Sequence, residues 1–184
     1  MMSAAPNETG RMTLPDGRVV GVRPLQPSDR AGLAAAVRRL STETRYLRFA
    51  TPKPQLTERE LDYLLDVDHH RREALLAVDP RTGRGVAVVR YIAVPGEADV
   101  VEIAATVADD WQGHGLGQAL LAQLAKRARE EGYAALRASV LASNQRSIAM
   151  LLRAGFAPRP GSGLLREYEL LLQTKGSVTT RPTR

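Results

Sequence analysis

The sequence predicts one α/β domain of the mixed α+β kind, with a mixed, mostly antiparallel central sheet flanked by helices. Three observations carry this. The length of 184 residues fits a single domain. Near residue 74 the apolar residues change from helical spacing to short continuous runs, and the two patterns then alternate to the end. Tight turns join the central runs, which makes them antiparallel neighbours, while helices long enough for a parallel crossover separate the later ones.

Taken in order, residues 1–13 are small and polar and predict a flexible N-terminus, as residues 173–184 predict a flexible tail, so the domain is expected to span 14–172. Leu14-Pro15-Asp16-Gly17 turns the chain into a strand at 18–23 that holds Val19, Val20 and Val22. Ser28 or Asp29 then caps a helix running to about Leu40. A second short helix holds Tyr46, Leu47 and Phe49. Thr57 and Glu60 have the spacing of a capping box and open a third, with Leu61, Leu64 and Leu65 inward. Residues 74–78 form an apolar strand, ended by the turn Asp79-Pro80-Arg81-Thr82-Gly83. Strands at 85–94 and 100–107 follow, separated by Pro95-Gly96. Residues 115–131 are helical: Leu116, Leu120 and Leu124 line one face beside Leu121, Ala125 and Ala128, and Gly132 stops the helix. A strand at 136–141, a helix at 144–154 and a strand at 164–172 complete the order.

Composition excludes several functions. There is no cysteine, hence no disulfide, thiolate metal site or thiol nucleophile. Three histidines, two of them adjacent at His69 and His70, argue against a zinc site, and no metal is expected. The absence of a membrane-length apolar run and of a signal-peptide core predicts a soluble, cytoplasmic protein with no membrane partner. The formal net charge is +6, but it is uneven: +4 over residues 1–60, −5 over 61–117 and +7 over 118–184. Only three of the 26 basic residues are lysine, and the eight aromatic residues are not interleaved with basic runs, so the pattern argues against nucleic acid as a partner.

The informative stretch is VVEIAATVADDWQGHGLG, residues 100–117. A strand runs into a short loop with glycine at 113, 115 and 117, and a helix begins inside the glycine run. Glycine permits positive φ and close approach to a ligand, and free N–H groups at a helix start suit an anion such as phosphate. A nucleoside-triphosphate loop needs Gly-Lys-Ser/Thr, whereas Gln118-Ala119 follows Gly117 here. The dinucleotide fingerprint needs G-x-G-x-x-G and an acidic residue on the next strand, and both are missing. A turn that serves only helix packing remains the alternative.

Gln112-Gly113-His114-Gly115-Leu116-Gly117 resembles the cofactor loop of the GNAT family of N-acetyltransferases. Asn144 followed by Ile148, Leu151, Leu152 and Gly155-Phe156 is similar to the family's second cofactor segment. The opening residues 14–24 and STETRYLRF at 41–49 resemble the acetyltransferase domain of bacterial protein-lysine acetyltransferases. The resemblance covers about residues 14–172 and implies the GNAT fold, with its sheet splayed at the cofactor site between the strands ending at Val107 and Leu141.

It also implies roles. Acetyl-CoA is the co-substrate. The backbone of Ala105, Thr106 and Val107 would pair with the pantetheine arm, and the amides of Gly113, His114, Gly115, Leu116 and Gly117, behind Gln112, would hold the pyrophosphate. Asn144 would bond the pantetheine near its reactive end, and the Val107 N–H would polarise the thioester. Glu102 stands where this subgroup places its catalytic glutamate and would be the general base; the strand alone also allows a solvent-facing residue or a partner for an arginine such as Arg90. Leu151 replaces the tyrosine that many members use as an acid, with Ser147 one turn earlier as a substitute donor. The same departure admits the alternative of a catalytically inactive CoA-binding sensor or interaction module.

The implied partners are acetyl-CoA, a primary amine of a protein lysine or small molecule, and, as in many family members, a second copy in a homodimer. Asp66, Asp68, His69 and His70 lie in a loop that borders the acceptor pocket in this fold, where acidic groups would select a cationic amine, unless the loop is merely solvated. Arg71, Arg72, Arg146 and Arg153 are further candidates for phosphate. On this resemblance the basic ends suit a polyanionic cofactor and the acidic middle a cationic acceptor.

Overall fold

The computed structural model describes residues 10–161 and 163–172. They form eight strands, β1 (Gly10–Thr13), β2 (Val19–Pro24), β3 (Arg72–Val78), β4 (Gly85–Ala93), β5 (Val100–Val107), β6 (Ala135–Leu141), β7 (Ala157–Arg159) and β8 (Leu165–Leu171). Five helices accompany them: α1 (Arg30–Arg39), α2 (Thr42–Phe49), α3 (Glu58–Leu65), α4 (Leu116–Glu130) and α5 (Gln145–Arg153). One sheet contains all eight strands in the order β1-β2-β3-β4-β5-β6-β8-β7. Every neighbouring pair is antiparallel except β5 and β6.

The predicted elements recur within a residue or two. The exceptions are β1 and β7, which were not expected; β1 lies in the segment 1–13 that was expected to be flexible. Both are short edge strands that are largely exposed, so backbone pairing defines them and no apolar alternation announces them. The expected flexibility of residues 1–9 and 173–184 falls outside the described residues.

Local chemistry explains the helix ends. Thr57 and Glu60 make the reciprocal capping box at α3, with Glu60 Oε2 accepting from the Thr57 amide at 2.8 Å. Asp29 precedes α1 as predicted, but its carboxylate accepts from Arg23 at 2.6 and 2.8 Å and from the Gln26 amide, not from the helix. Gly132 ends α4 at φ +92°.

The main core lies between one face of the sheet and helices α4 and α5. Leu116, Leu120, Leu121, Leu124 and Ala128 of α4 pack there against Val89, Val101 and Leu136. Each fully buried leucine contributes about 1.5–3 kcal/mol of apolar transfer, which anchors α4 and hence the loop that precedes it. Helices α1 and α3 cover the opposite face through smaller clusters around Leu25, Val37, Leu61 and Leu76. The sheet is least regular at its parallel joint: β5 and β6 pair only from Val100–Ala135 to Glu102–Arg137 and then separate.

Candidate active site

Beyond that last pair, residues 103–107 and 138–141 diverge, and a cleft of about 590 Å³ opens between them. The register of β5 on β4 decides which backbone groups face it. Val94 N donates to Val100 O and Ala108 N to Val86 O, so the even-numbered residues of β5 bond to β4. The amides and carbonyls of Ile103, Ala105 and Val107 therefore face the cleft, and those of Thr106 do not. Thr106, named in the expected trio, lines the cleft with its amide turned to β4, whereas the amide of Ile103 faces the cleft. Strand parity was legible in the sequence; which edge it presented was not.

The glycine loop closes one end of the cleft. Gly113 and Gly115 have φ of +82° and +83°, the left-handed region that side chains disfavour. Gly117 lies in the first turn of α4, where an added Cβ would meet Met150 Sδ at 3.1 Å. Gly115 caps α4 with no side-chain bond, and the backbone amides of residues 113–117 have no acceptor among the described residues. Five unbonded donors at the positive end of a fifteen-residue helix suit an anion.

Gln112 acts on the protein itself. Its Nε2 donates to Val107 O at 3.0 Å and Thr44 Oγ1 at 3.1 Å, while its Oε1 accepts from Arg146. Asp109 ties the same loop to the start of α2, accepting from Ser41 N at 2.8 Å, Ser41 Oγ at 2.7 Å and Thr44 Oγ1 at 2.6 Å. Burial pushes the Asp109 carboxyl up, but the Thr44 and Ser41 bonds outweigh it and hold the group below its ordinary value. These ties bring Thr44, Leu47 and Arg48 of α2 onto the cleft wall. They belong to the stretch 41–49 that carries part of the resemblance, but nothing in that stretch by itself placed these side chains on the cleft.

Glu102 sits at the last paired position, where the strands begin to part. It is exposed, accepts a hydrogen bond from Ser139 Oγ at 3.2 Å, and is not paired with Arg90. It stands beside the cleft and is not among the residues lining it. Asn144 caps α5, its Oδ1 accepting from Ser147 N at 3.1 Å, which leaves its side-chain amide hydrogens for a ligand. Leu151 is 2% exposed and reaches the cleft as an apolar wall. His114 is turned away, with Nδ1 2.8 Å from Asp16 Oδ2 in the β1–β2 turn. Trp111 lines the cleft beneath the Arg18 guanidinium, 5.2 Å from its ring centre.

The loop before β3 does not reach the cleft. His69 Nδ1 meets the buried Glu73 carboxylate at 2.9 Å, His70 Nδ1 meets Glu131 at 2.7 Å, and Asp66 bonds Arg72. Asp68 accepts from the His70 and Arg72 amides. Of the four arginines named for phosphate, Arg146 and Arg153 line the cleft and Arg71 and Arg72 do not. Arg48 stands over the same region; burial and then the neighbouring Arg90 lower its guanidinium to about 10. Among the described residues no group of three or more His, Asp or Glu side chains is placed to hold a metal ion, and no helix is long and apolar enough to cross a membrane.

Comparison with known proteins agrees with this geometry. The model of the GNAT acetyltransferase family matches residues 34–156. An acetyltransferase of Pseudomonas aeruginosa is 37% identical over 123 residues, 66% of each chain. The acetyltransferase Pat of Mycolicibacterium smegmatis is 30% identical over 73% of this chain but only 40% of its own length, so this chain spans well under half of that relative. The crystal structure of the GNAT domain of S. lividans PAT superposes with a TM-score of 0.84 at 30% identity, covering 89% of this chain and 97% of that one. A phosphinothricin acetyltransferase from Sinorhizobium meliloti, solved with acetyl-CoA, shares the fold at a TM-score of 0.72 and 20% identity, over 89% and 93% of the two chains. With its mixed sheet, its single parallel joint and most of its length matched by the family model, this chain belongs to the GNAT acetyltransferase family.

Proposed function

We propose that this chain is an acetyl-CoA-dependent N-acetyltransferase that moves an acetyl group to a primary amine, on a protein lysine or a small molecule, by direct attack with Glu102 as general base. One observation carries the reading: the open edge of Ile103, Ala105 and Val107 runs into the unbonded amides of residues 113–117. A pantetheine arm completes such an edge as an added strand, and a pyrophosphate is the anion such a helix start holds. The Asn144 amide lies on the wall of the same cleft and serves the arm.

Acetyl-CoA supplies an acyl carbon activated as a thioester. The incoming ammonium, with an ordinary pKa of roughly 10.4, has no lone pair until it loses a proton. Glu102 takes that proton directly or through one water, an assistance worth about 10²–10⁴ in rate. The new C–N bond then forms as the C–S bond breaks. Ala105 is a better oxyanion donor than Val107 in this reading. Both amides lie on the open edge, but along the strand Ala105 is about 10 Å from Glu102 and Val107 about 16 Å. Leu151 has no proton to give, so the thiolate leaves without help from that position.

Calorimetry with acetyl-CoA and a CoA-thiol release assay over an amine panel test the proposal, and both binding and turnover are expected. Absence of both binding and thermal stabilisation by acetyl-CoA would sink it. Glu102→Gln should lower turnover about 10²–10⁴-fold while the acetyl-CoA Kd stays within about threefold. Unchanged turnover removes Glu102 from the role. A second reading, a CoA-binding sensor without catalysis, is favoured by Leu151 alone, and binding without turnover would select it.

A further inference from the structure

The backbone of the glycine loop does not hold its own shape. None of the amides of residues 113–117 has an acceptor among the described residues, so no internal hydrogen bonds from them fix the loop. Glycine at 113 and 115 also loses more conformational freedom on ordering than any other residue. Gln112 ties one end of the loop to Val107 and Thr44, and Leu116, 1% exposed, roots the other end in the core. Between these ends the loop leans on the turn that joins β1 to β2. Leu14 anchors that turn: it is buried in the main core, its amide donates to Arg18 O at 2.8 Å, and its carbonyl accepts from Gly17 N at 2.9 Å. Asp16 is the hub of the turn. Its Oδ1 accepts from Arg18 N at 3.1 Å, and its Oδ2 lies 3.1 Å from Arg18 Nε and 2.8 Å from His114 Nδ1. The Arg18 guanidinium so placed donates from Nη1 to Asp110 O at 2.9 Å and stands over the Trp111 ring. The Pro15 ring packs over Gly115. One turn thus grips the segment at 110, 111, 114 and 115.

A carboxylate behind a loop that suits pyrophosphate needs a reason, because like charges repel. The Arg18 amide, opposed by burial, and then the neighbouring His114 and Arg18 hold the Asp16 carboxyl below its ordinary value, so it is an anion at neutral pH. Pro15, Asp16 and His114 are not among the residues lining the cleft, so their side chains reach a cofactor there only through the loop. We propose that Asp16 is a positioning residue for acetyl-CoA: through His114 and Arg18 it fixes the loop in the form whose amides hold the pyrophosphate. The proposal rests on the acetyl-CoA reading above and gives the β1–β2 turn a part in cofactor affinity, not in the transfer step.

The test is calorimetry with acetyl-CoA on Asp16→Asn, which keeps an acceptor for the Arg18 amide and removes the charge that holds His114 and the Arg18 guanidinium. Taking a negative charge away from a bound polyanion should by itself tighten binding. Positioning predicts the opposite, a Kd raised about three- to tenfold. In the thiol-release assay the KM for acetyl-CoA should rise by a similar factor while kcat at saturating acetyl-CoA stays within about twofold. His114→Gln should weaken binding in the same direction, and it carries the test should the Asn variant not fold. The double variant should bind like Asp16→Asn alone, because the two side chains act as one unit. A Kd that is unchanged or lowered in Asp16→Asn would overturn the proposal and leave acetyl transfer standing. So would a fall in Tm with no change in Kd, a loss confined to kcat, or single effects that multiply in the double variant. Wild-type protein that binds no acetyl-CoA would remove the underlying reading and this one with it.

Discussion

Replacing each of the three loop glycines by alanine separates backbone strain from close packing. Gly115 caps α4 at φ +83°, and a Cβ there would lie 3.3 Å from Cδ of the rigid Pro15 ring. The left-handed conformation costs an L-residue about 1–2 kcal/mol, and the proline contact adds to it. Gly113 has nearly the same φ, +82°, but nothing within 4 Å of the added methyl, so it carries the strain alone. Gly117 is helical, where alanine is favoured by about 1 kcal/mol, and its methyl would meet chiefly the flexible Met150 thioether at 3.1 Å. For a chain of this size 1 kcal/mol moves Tm by about 2–4 °C. Gly113→Ala should therefore lower Tm by about 2–8 °C, Gly115→Ala by more than Gly113→Ala, and Gly117→Ala by no more than about 2 °C. If Gly115→Ala relieves its strain by turning the loop amides, each lost bond to pyrophosphate weakens acetyl-CoA by about tenfold or more. Thermal melts and calorimetry on the three variants read both effects. Equal losses at all three positions, or the largest at Gly117, would refute the assignment of the loop's shape to Gly113 and Gly115.

Two further expectations concern stability. The Glu73 carboxylate is fully buried and accepts from Arg127 Nη2 at 3.1 Å and Nε at 3.3 Å, so Arg127→Met leaves it only His69 and the Ala74 amide and should cost about 3 kcal/mol in urea unfolding. Glu73→Gln should cost less, because the partly exposed Arg127 can hydrate instead, and equal costs would contradict the asymmetry. Hydrogen bonds from Lys53 and then the Thr57 amide lower the Glu60 carboxyl to about 2. Its contribution to folding is therefore complete above the unfolded value of about 4.3 and is lost as pH falls from there toward 2. Glu60→Gln should flatten the Tm profile in that window, and a variant melting curve as steep as the wild type's would show that the α3 cap is not what titrates.

What the sequence determined by itself was local. The leucine stripe of α4, the Thr57–Glu60 box and the glycine loop opening a helix all rest on residues within a turn or two of one another, where periodicity, capping and allowed φ act directly. Strands β1 and β7 escaped notice because partners across the sheet make them, not their own side chains. The same limit applied to the site. The run Ala105-Thr106-Val107 looked uniform, yet only its register on β4 decided that Ile103, Ala105 and Val107 face the cleft. Tertiary packing alone brought Thr44 to Gln112 across 68 residues, turned His69 and His70 toward Glu73 and Glu131, and set Arg48 on the cleft wall. Arg90, whose Nε and Nη2 are buried with no hydrogen-bond partner, is the clearest case. A donor counts as unpaired only after every neighbour in space has been placed, and that is a property of the folded chain which no window of sequence contains.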